Sequence, residues 1–404
     1  LASPESVSAI FPMRQMFDLV IFDEASQCFA EHGIPAACRG RQIMVAGDRQ
    51  QLKPGDLYQV RFQEETDDTP DLEVESLLDL CSRYLPQTSL RWHYRSESIP
   101  LIHFSNKHFY QGQLTLLPHR KTFLTSSPPI QFVKVDGTWS NQQNDVEAKM
   151  ITRLVMDSVN GQPEKSVGVV TFNAAQQTLI IDYLEAALAA EQMSWPENLF
   201  VKNIENVQGD ERDIILFSIG YAPDEDGKVR AQFGSLNRVG GENRLNVAIT
   251  RARHKIIVVS SLWPQEWALD NVRNHGPRLL KLFLQYAQQV SDGNPEAGAY
   301  PPEIAAGNAS LKNALIALAS HERIEYNTQT LPHVDITMTY GQTPLAILLT
   351  DDNEYSDSIS PKERHATLPA LLEAKEWKYH ACYSRNYWSN PEKLRMEIFK
   401  LGNL

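Results

Sequence analysis

The sequence has few cysteines, and none of the spacings that a metal or disulfide framework requires. Its four cysteines, Cys28, Cys38, Cys81 and Cys382, form no C-x-x-C pair. The sequence therefore predicts neither a zinc ribbon nor a disulfide-stabilised fold. We interpret the four residues as ordinary thiols in a reducing compartment, which favours a cytoplasmic protein.

Long apolar runs and an excess of positive charge are also missing. The longest apolar runs, such as 17–22 and 256–259, are far shorter than the roughly 18 residues that a membrane span needs, so we expect no membrane partner. The 38 Lys and Arg against 50 Asp and Glu give a net charge of −12. Any contact with nucleic acid must therefore come from local basic patches. The 404 residues are enough for two or three domains.

The sequence does contain a series of short, continuous apolar runs, which are typical of strands buried on both faces of a parallel sheet. Two of them open the chain, and each ends in an acidic residue. The run at 166–172 is followed by a stretch with helical periodicity, which is typical of an α/β fold. We predict one sheet at the start of the chain and a second between about residues 130 and 265. The runs are 17–23, 42–48, 166–172, 200–207, 213–219 and 255–261.

A change of composition near residue 288 predicts a third, smaller unit. Residues 288–303 are rich in Gly, Pro and polar residues and are predicted to be a linker. We predict helices at about 308–321 and 361–375, apolar strands at 333–340 and 344–350, and a further strand within 377–384. The chain also begins without Met, and we expect it to be a fragment or a processed piece.

An adjacent acidic pair, Asp23 and Glu24, follows the first predicted strand. Open α/β sheets bind ligands at this end of their strands. One carboxylate can hold Mg²⁺ while the other orients an attacking water in phosphoryl transfer. Taken alone, the pair is equally well explained as a solvated turn. Two further motifs favour the catalytic interpretation, GDRQQL at 47–52 and TRAR at 250–253.

Five segments in order resemble the motifs of superfamily 1 helicases, in the branch that contains the RNA-surveillance and senataxin-like enzymes. They are DEASQ (23–27), GDRQQLKP (47–54), HYRS (93–96), VQGDERDIILFS (207–218) and RLNVAITRARHKIIVV (244–259). The resemblance implies an α/β fold with the C-terminal part of a first RecA-like lobe at 1–120 and a complete second RecA-like lobe at 121–287. It further implies an ATP-dependent helicase or translocase that uses ATP and Mg²⁺, binds DNA or RNA and moves 5′ to 3′.

The resemblance also implies roles for individual residues. Asp23 would hold Mg²⁺, Glu24 the hydrolytic water, and Gln51 would contact the γ-phosphate. Arg95 and Arg251 would be arginine fingers, because a planar, permanently charged guanidinium stabilises charge on the phosphate oxygens well. Glu211 would bind the ribose, and Gln208 and Gly209 would shape its loop. Thr171 and Gln176 would contact the nucleic-acid backbone, although a helix cap is an equal alternative for this pair.

One expected motif is missing from the sequence. No G-x-x-x-x-G-K-[ST] loop, whose amides and lysine hold phosphates, occurs anywhere in the chain. In the family this loop lies upstream of the DEAS motif. We therefore expect an upstream segment or a partner subunit to supply it, and we expect the chain alone not to hydrolyse ATP. A non-hydrolysing regulatory subunit of a partner ATPase is the first alternative.

The last unit, 304–404, resembles the small endonuclease domain of very-short-patch-repair type that ends many large bacterial helicases. Lys312, Asp335, Tyr355, Arg364 and the segment 376–394 carry this resemblance. Such a nuclease needs carboxylates on neighbouring strands to hold Mg²⁺. Leu349 stands where the second carboxylate is expected, which leaves Asp335 and Asp351.

Because leucine cannot ligate a hard cation, we predict a degenerate nuclease fold that serves as a DNA-binding or interaction module. An active metal-dependent nuclease, with the helicase-like half only gripping DNA, is the second alternative. By analogy with bacterial relatives of this layout, DNA repair or defence against foreign DNA is the expected setting.

Overall fold

The computed structural model describes most of the chain, and its strands form three separate sheets among the described residues. The described residues are 1–54, 76–125, 127–229, 233–267, 269, 272, 274–294, 310–319, 324–328, 331–332, 334–341, 343–352 and 360–401. Within these ranges, no helix combines the length and the apolar character that a membrane crossing requires.

The first region contains a small parallel sheet packed on helices. Its elements are α1 (Pro4–Ile10), β1 (Phe17–Phe22), α2 (Ala30–Ala37), β2 (Gly40–Val45) and α3 (Leu77–Tyr84), and the next helix, α4 (Ile99–His108), packs instead in the core of the five-stranded sheet described below. The two strands pair in parallel, with Phe17 opposite Gly40 and Phe22 opposite Val45. Both apolar runs that open the chain therefore form strands, as predicted.

The expectation that these strands are buried on both faces is wrong for the described structure. Val20 and Phe22 pack with α2 and α3 in a small core that includes Leu77. On the opposite face, Leu19, Ile21 and Met44 are 45%, 61% and 57% exposed. The reason is that the helices of the described residues cover only one side of this sheet.

The second region is a five-stranded parallel sheet. Its elements are β3 (Ile130–Lys134), α5 (Asp145–Gly161), β4 (Val167–Thr171), α6 (Ala174–Ala190), β5 (Leu199–Asn203), β6 (Arg212–Ser218), α7 (Gly241–Ile249), β7 (Ala252–Ser260) and α8 (His275–Ser291). The strand order is β3-β7-β6-β4-β5, and every pair is parallel. The predicted parallel α/β sheet is confirmed, and it fits a RecA-like lobe. Three boundaries in this region differ from the prediction. Ile204–Asn206 form a 3₁₀ turn, β7 begins at Ala252 and not at Lys255, and α8 extends into the expected linker.

Helices cover both faces of this sheet. Leu216 packs with α5 and α6 on one face, whereas its neighbours Ile215 and Phe217 pack with α7 and α8 on the other. All three are fully buried. Burying one such side chain stabilises a fold by about 1.5–3 kcal/mol, so this sheet forms the main core.

The third region is a mixed four-stranded sheet. Its elements are α9 (Ser310–Ala319), β8 (Glu325–Asn327), β9 (Ile336–Tyr340), β10 (Thr343–Thr350), α10 (Leu368–Ala374), β11 (Tyr379–Cys382), α11 (Ser384–Ser389) and α12 (Pro391–Leu401). The strand order is β11-β10-β9-β8, with only β10 and β11 parallel. A helix was expected at about 361–375. Within it, Glu363–Thr367 form a π-helical turn that leads into α10.

The third region packs directly on the segment that follows the HYRS motif. Trp377 is 4% exposed, and its Nε1 donates to the Pro118 carbonyl at 2.8 Å. Its ring also meets Phe123, with ring centroids 5.8 Å apart. Leu117 shares an apolar cluster with Leu349 and Trp377. The third region therefore packs against residues 117–124 through a hydrogen bond and apolar contacts.

Candidate active site

The loop after β1 carries the first part of the candidate site. Asp23 and Glu24 are exposed at the carboxyl end of this strand. Glu24 has φ 50° and ψ 39°, a left-handed conformation that costs a non-glycine residue about 1–3 kcal/mol. Its Oε2 accepts hydrogen bonds from Nε2 of Gln27 at 3.3 Å and from Nε2 of Gln208 at 3.2 Å. The Glu24 carboxylate thus connects the first region to the five-stranded region.

The loop after β2 lies against the loop after β1. The Ala25 amide donates to the Ala46 carbonyl at 2.9 Å. A Cβ at Gly47 would lie 3.0 Å from the Ser26 nitrogen and 3.1 Å from the Ala25 nitrogen. A side chain at position 47 would therefore push the two loops apart, which explains the glycine of GDRQQL.

Gln51 lies in this second loop, and helix α7 holds the loop from the other side. Its Nε2 donates to Asp48 Oδ2 at 2.9 Å. Asn243 Nδ2 donates to the Gln51 carbonyl at 2.9 Å, and Asn246 Nδ2 donates to the Gln50 carbonyl at 2.8 Å. The loop that carries Gln51 is therefore bound to the helix that leads to Arg251.

Tyr110 makes a further contact between the same loop and helix. Its hydroxyl donates to Asp48 Oδ2 at 2.7 Å and accepts from Asn246 Nδ2 at 3.1 Å. Burial, together with the Asp48 charge, raises the pKa of Tyr110 far above its ordinary value. The hydroxyl therefore keeps its proton and acts as a donor to Asp48.

Sequence reasoning missed these connecting residues. Asp48, Asn243 and Asn246 lie in or beside the quoted motifs, but no role was assigned to them. Tyr110 lies outside every motif, and no local pattern marks it.

Arg251 follows α7 and is held by that helix. It is 3% exposed. Its Nε donates to the Val247 carbonyl at 2.8 Å, and its Nη2 donates to Thr250 Oγ1 at 3.1 Å. Burial lowers the pKa of Arg251 to about 10, and the Arg95 charge acts in the same direction, whereas the Glu24 charge raises it. Arg251 therefore remains a cation at neutral pH, close to both of these charges.

Arg95 approaches the same place from the HYRS motif. Its Nε donates to Glu211 Oε2 at 2.8 Å, and its Nη1 donates to the Thr250 carbonyl at 3.2 Å. Glu211 also forms an ion pair with Arg253. Hydrogen bonds from Arg253 and Arg95 lower the pKa of Glu211. In this structure two arginines hold the carboxylate that the resemblance assigns to the ribose.

Gln208 and Gly209 form the loop between β5 and β6. Gly209 has φ 83°, and a Cβ there would meet no atom within 4 Å. Position 209 therefore favours glycine because of its positive φ angle, and not because a side chain would collide with neighbouring atoms. Gln208 Oε1 is buried, and no hydrogen-bond partner lies among the described residues. An unpaired buried acceptor is costly, so it fits a donor supplied by a ligand or a water.

The structure thus gathers five of the predicted residues around one place. Direct bonds join Glu24 to Gln208 and Arg95 to Glu211, and Arg251 lies close to Glu24, Arg95 and Glu211. Asp23 lies at the rim next to Glu24. Gln51 is joined to this group through its loop's contacts with α7.

Thr171 and Gln176, the predicted nucleic-acid contacts, lie in the interior of the five-stranded region. Both residues have no exposed surface. Thr171 Oγ1 donates to the Asn173 carbonyl at 2.9 Å. Gln176 Oε1 accepts from the Asn144 amide at 2.7 Å, and its Nε2 donates to the Asn144 carbonyl. Asn173 caps α6 instead, and the two predicted residues bind interior polar groups.

The same interior contains a fully buried carboxylate, Glu147. It accepts five hydrogen bonds, two from backbone amides, and the donors are Asn144 Nδ2, Ser218 Oγ, the Gly220 amide, the Ser261 amide and Ser261 Oγ. Burial raises the pKa of Glu147 to about 7, against the lowering effect of these bonds. The network ties α5 to the ends of β6 and β7.

The carboxylates expected to bind metal in the third region are committed to other contacts. Asp335 Oδ2 accepts from the Thr350 amide at 2.7 Å and from Arg364 Nη2 at 2.9 Å, and Lys312 Nζ lies 3.6 Å from Oδ1. Asp351 accepts from the Ser384 amide and hydroxyl. Over the described ranges, no group of three His, Cys, Asp or Glu residues could hold a metal ion.

Leu349 and Tyr355 are the two other residues of the expected nuclease pattern. Leu349 is 4% exposed in the apolar cluster with Leu117 and Trp377. Its position is therefore part of the packing between the third region and segment 117–124. Tyr355 lies outside the described residues.

Comparison with known proteins finds one matching family model and several similar helicases. Residues 73–262 match the family model described as "AAA domain". The chain is 36% identical over 312 residues to the "Uncharacterized ATP-dependent helicase MG140 homolog" of Mycoplasma pneumoniae, covering 72% of the chain and 27% of that protein. It is 37% identical over 311 residues to the "Uncharacterized ATP-dependent helicase MG140" of Mycoplasma genitalium, with the same coverage.

A more distant relative is the "DNA replication ATP-dependent helicase/nuclease DNA2" of Gallus gallus. It is 28% identical over 299 residues, covering 72% of the chain and 27% of that protein. The chain spans about a quarter of the length of each of these relatives. The chain is thus similar to proteins named ATP-dependent helicases.

Proposed function

We propose that this superfamily 1 helicase-family chain forms the hydrolytic side of an ATP-dependent helicase or translocase that moves on DNA or RNA. The observation that carries the proposal is that Glu24 contacts Gln208, Arg95 contacts Glu211, and Arg251 lies close to Glu24, Arg95 and Glu211. These residues come from loops of two different sheets. A site formed between two α/β units can sense a nucleotide and transmit its presence as relative movement of the units.

The residues fit Mg²⁺ and ATP by their chemistry. Asp23 is an exposed carboxylate of the type that Mg²⁺ prefers. Arg95 and Arg251 are the planar cations that suit phosphate oxygens, and the buried Gln208 Oε1 lacks a donor. Bound Mg²⁺ would neutralise phosphate charge. Each of these features is on the hydrolytic side of the nucleotide.

Each side chain has a distinct task in this proposal. The Glu24 carboxylate orients the attacking water and accepts its proton, and the left-handed backbone holds that carboxylate against Gln208. Arg251, held by the Val247 carbonyl, presents its Nη groups to the transferred phosphate. Arg95 joins it after exchanging its contact with Glu211 for the phosphate. Glu211 is thereby freed for the ribose, while Arg253 remains its partner.

The proposal includes a further polypeptide segment or subunit that carries the phosphate loop. It is supported by the exposed apolar face of the β1–β2 sheet, formed by Leu19, Ile21 and Met44. Apolar side chains of this size are expected to be covered in a parallel sheet. The added segment would cover this face and bring the phosphate loop to Asp23 and Glu24.

For the third region, about residues 304–404, we propose a degenerate nuclease fold that binds DNA or another part of the assembly. The support is that Asp335 is held by Arg364 and Lys312, and Asp351 by Ser384. The test is incubation with supercoiled plasmid in Mg²⁺ or Mn²⁺. We expect no nicking, and nicking that disappears in Asp335→Ala would instead establish an active nuclease.

Bacterial DNA repair or defence against foreign DNA is the setting that we propose. It rests on the relative named as a DNA replication helicase/nuclease and on the bacterial source of the two Mycoplasma relatives.

ATP hydrolysis by the complete polypeptide or complex, with and without nucleic acid, tests the main proposal. Glu24→Gln should retain ATP binding and lose turnover, because the amide cannot accept the proton of the water. The exposed residue Glu185, on α6, provides the matched control, and Glu185→Gln should turn over ATP like wild type. Full turnover by Glu24→Gln would exclude the assigned role. A complete wild-type assembly that never hydrolyses ATP would favour a regulatory subunit.

A further inference from the structure

The Tyr110 hydroxyl lies between two structural elements that the proposed reaction needs. On one side it donates to Asp48 Oδ2 at 2.7 Å. On the other it accepts from Asn246 Nδ2 at 3.1 Å. Asp48 belongs to the loop of Gln51, and Asn246 belongs to α7, which leads to Arg251.

The contacts continue from Tyr110 to both ends. Asp48 Oδ2 also accepts from Gln51 Nε2 at 2.9 Å. At the other end, the Asn246 carbonyl accepts from Thr250 Oγ1 at 2.9 Å, and Thr250 Oγ1 accepts from Arg251 Nη2 at 3.1 Å. Two sets of hydrogen bonds, joined through the side chain and backbone of Asn246, therefore connect the Gln51 side-chain amide to the Arg251 guanidinium.

A phenol hydroxyl suits the middle of this series. The Asp48 carboxylate can only accept hydrogen bonds and the Asn246 Nδ2 can only donate them, whereas a hydroxyl does both at once. Tyr110 is also anchored independently, since its amide donates to the Ser105 carbonyl of α4 and its ring packs on the core of the five-stranded sheet. It can therefore hold Asp48 and Asn246 in a fixed relation.

We propose that Tyr110 is a positioning residue that couples the Gln51 loop to Arg251. The expected effect of Tyr110 on ATP turnover rests on the proposed function. Its structural role, which is to couple the Gln51 loop to α7, does not. Without the hydroxyl, the loop and the helix still meet where Asn243 donates to the Gln51 carbonyl and Asn246 donates to the Gln50 carbonyl. Asp48 then keeps its bonds within the loop and loses the hydrogen bond that joins its carboxylate to Asn246 through Tyr110.

The test compares two tyrosine-to-phenylalanine variants. Tyr110→Phe removes the coupling hydroxyl and leaves the ring. Tyr286→Phe is the matched control, because Tyr286 is 9% exposed and its hydroxyl donates to the Pro100 carbonyl at 2.8 Å, outside the series of contacts. Both variants lose one buried hydroxyl, with two hydrogen bonds lost in Tyr110→Phe and one in Tyr286→Phe.

Hydrogen exchange in this chain is the first measurement and needs no activity. The Gln50 amide is bound by Asp48 Oδ1 at 2.8 Å, and the Thr250 amide is bound by the Asn246 carbonyl. In Tyr110→Phe we expect both amides to exchange roughly tenfold faster, the scale of one lost hydrogen bond to a charged group. In Tyr286→Phe they should keep the wild-type rate. Unchanged exchange in Tyr110→Phe, or equal acceleration in both variants, overturns the inference.

ATP turnover of the complete assembly is the second measurement. Tyr110→Phe should lower kcat roughly tenfold and leave KM for ATP nearly unchanged, because the residue orients groups that act in the transition state. Tyr286→Phe should match wild type. A wild-type kcat in Tyr110→Phe overturns the catalytic part of the inference. If wild type itself has no turnover, the proposed function fails, and the exchange measurement still decides whether Tyr110 couples the two elements.

Discussion

In the five-stranded sheet, Leu216 and Val169 have no exposed surface, because α5 and α6 cover them. In the two-stranded sheet, Leu19 and Ile21 are 45% and 61% exposed although they occupy strands of equally apolar composition. Strands that are apolar on both faces are expected to be covered on both faces in the complete protein. We therefore propose that further polypeptide packs on the exposed apolar face of the β1–β2 sheet, whereas helices of this chain already cover the five-stranded sheet.

The largest expected effect comes from the arginine that the complete sheet contributes. In the complete assembly, Arg251→Ala should lower ATP turnover roughly 10³-fold or more, the scale of an arginine finger. Arg251→Lys should restore only part of it, because lysine lacks the planar fork. The control is Arg153→Ala on the exposed side of α5, which should have no effect. Near wild-type turnover in Arg251→Ala would remove this residue from the site.

A matched pair of leucines tests the comparison of the two sheets directly. Leu216→Ala should lower the free energy of unfolding of this chain by about 4 kcal/mol, because it leaves a cavity in a closed core. Leu19→Ala should change it by less than about 0.5 kcal/mol, as for other exposed positions. Chemical unfolding measures both. Equal losses would mean that the β1–β2 face is already covered in solution.

In the complete assembly the same Leu19→Ala variant should become destabilising, since the added segment would bury the side chain. If its effect stays near zero there, the exposed face is not the docking surface.

A smaller effect is expected from pH, within the complete sheet. Glu147 has a pKa of about 7 in the folded chain and an ordinary value near 4.5 when unfolded. Between these values the folded state binds more protons, so stability falls as pH rises, by up to about 3 kcal/mol. In Glu147→Gln, the free energy of unfolding should therefore fall less between about pH 5 and about pH 8 than it does in wild type. Glu185→Gln, an exposed control, should keep it, and a Glu147→Gln profile parallel to wild type would contradict the expectation.

Much of the fold could be predicted because the apolar runs are continuous and well separated. The strands at 167–171, 212–218 and 252–260 lie close to their predicted positions for this reason. Sequence patterning could not reveal that only one face of β1 and β2 is covered, because a pattern reports which residues are apolar and not what packs on them.

The candidate site was predictable where residues lie in motifs with a chemical purpose, as Glu24, Arg95 and Arg251 do. Tyr110 could not be predicted, since its partners Asp48 and Asn246 are brought to it only by the tertiary fold. The burial of Thr171 and Gln176 could not be predicted for a related reason. A polar residue near a helix start can face solvent or the interior, and the choice depends on whether a buried group such as Asn144 needs a partner.

We propose that this chain holds the hydrolytic groups and that another segment holds the phosphate loop. The most direct test is ATP turnover, with nucleic acid present, by the chain alone and by the chain joined to or mixed with a segment that carries G-x-x-x-x-G-K-[ST]. We predict background turnover for the chain alone and nucleic-acid-stimulated turnover for the combination. The same stimulated turnover by the chain alone would contradict the claim.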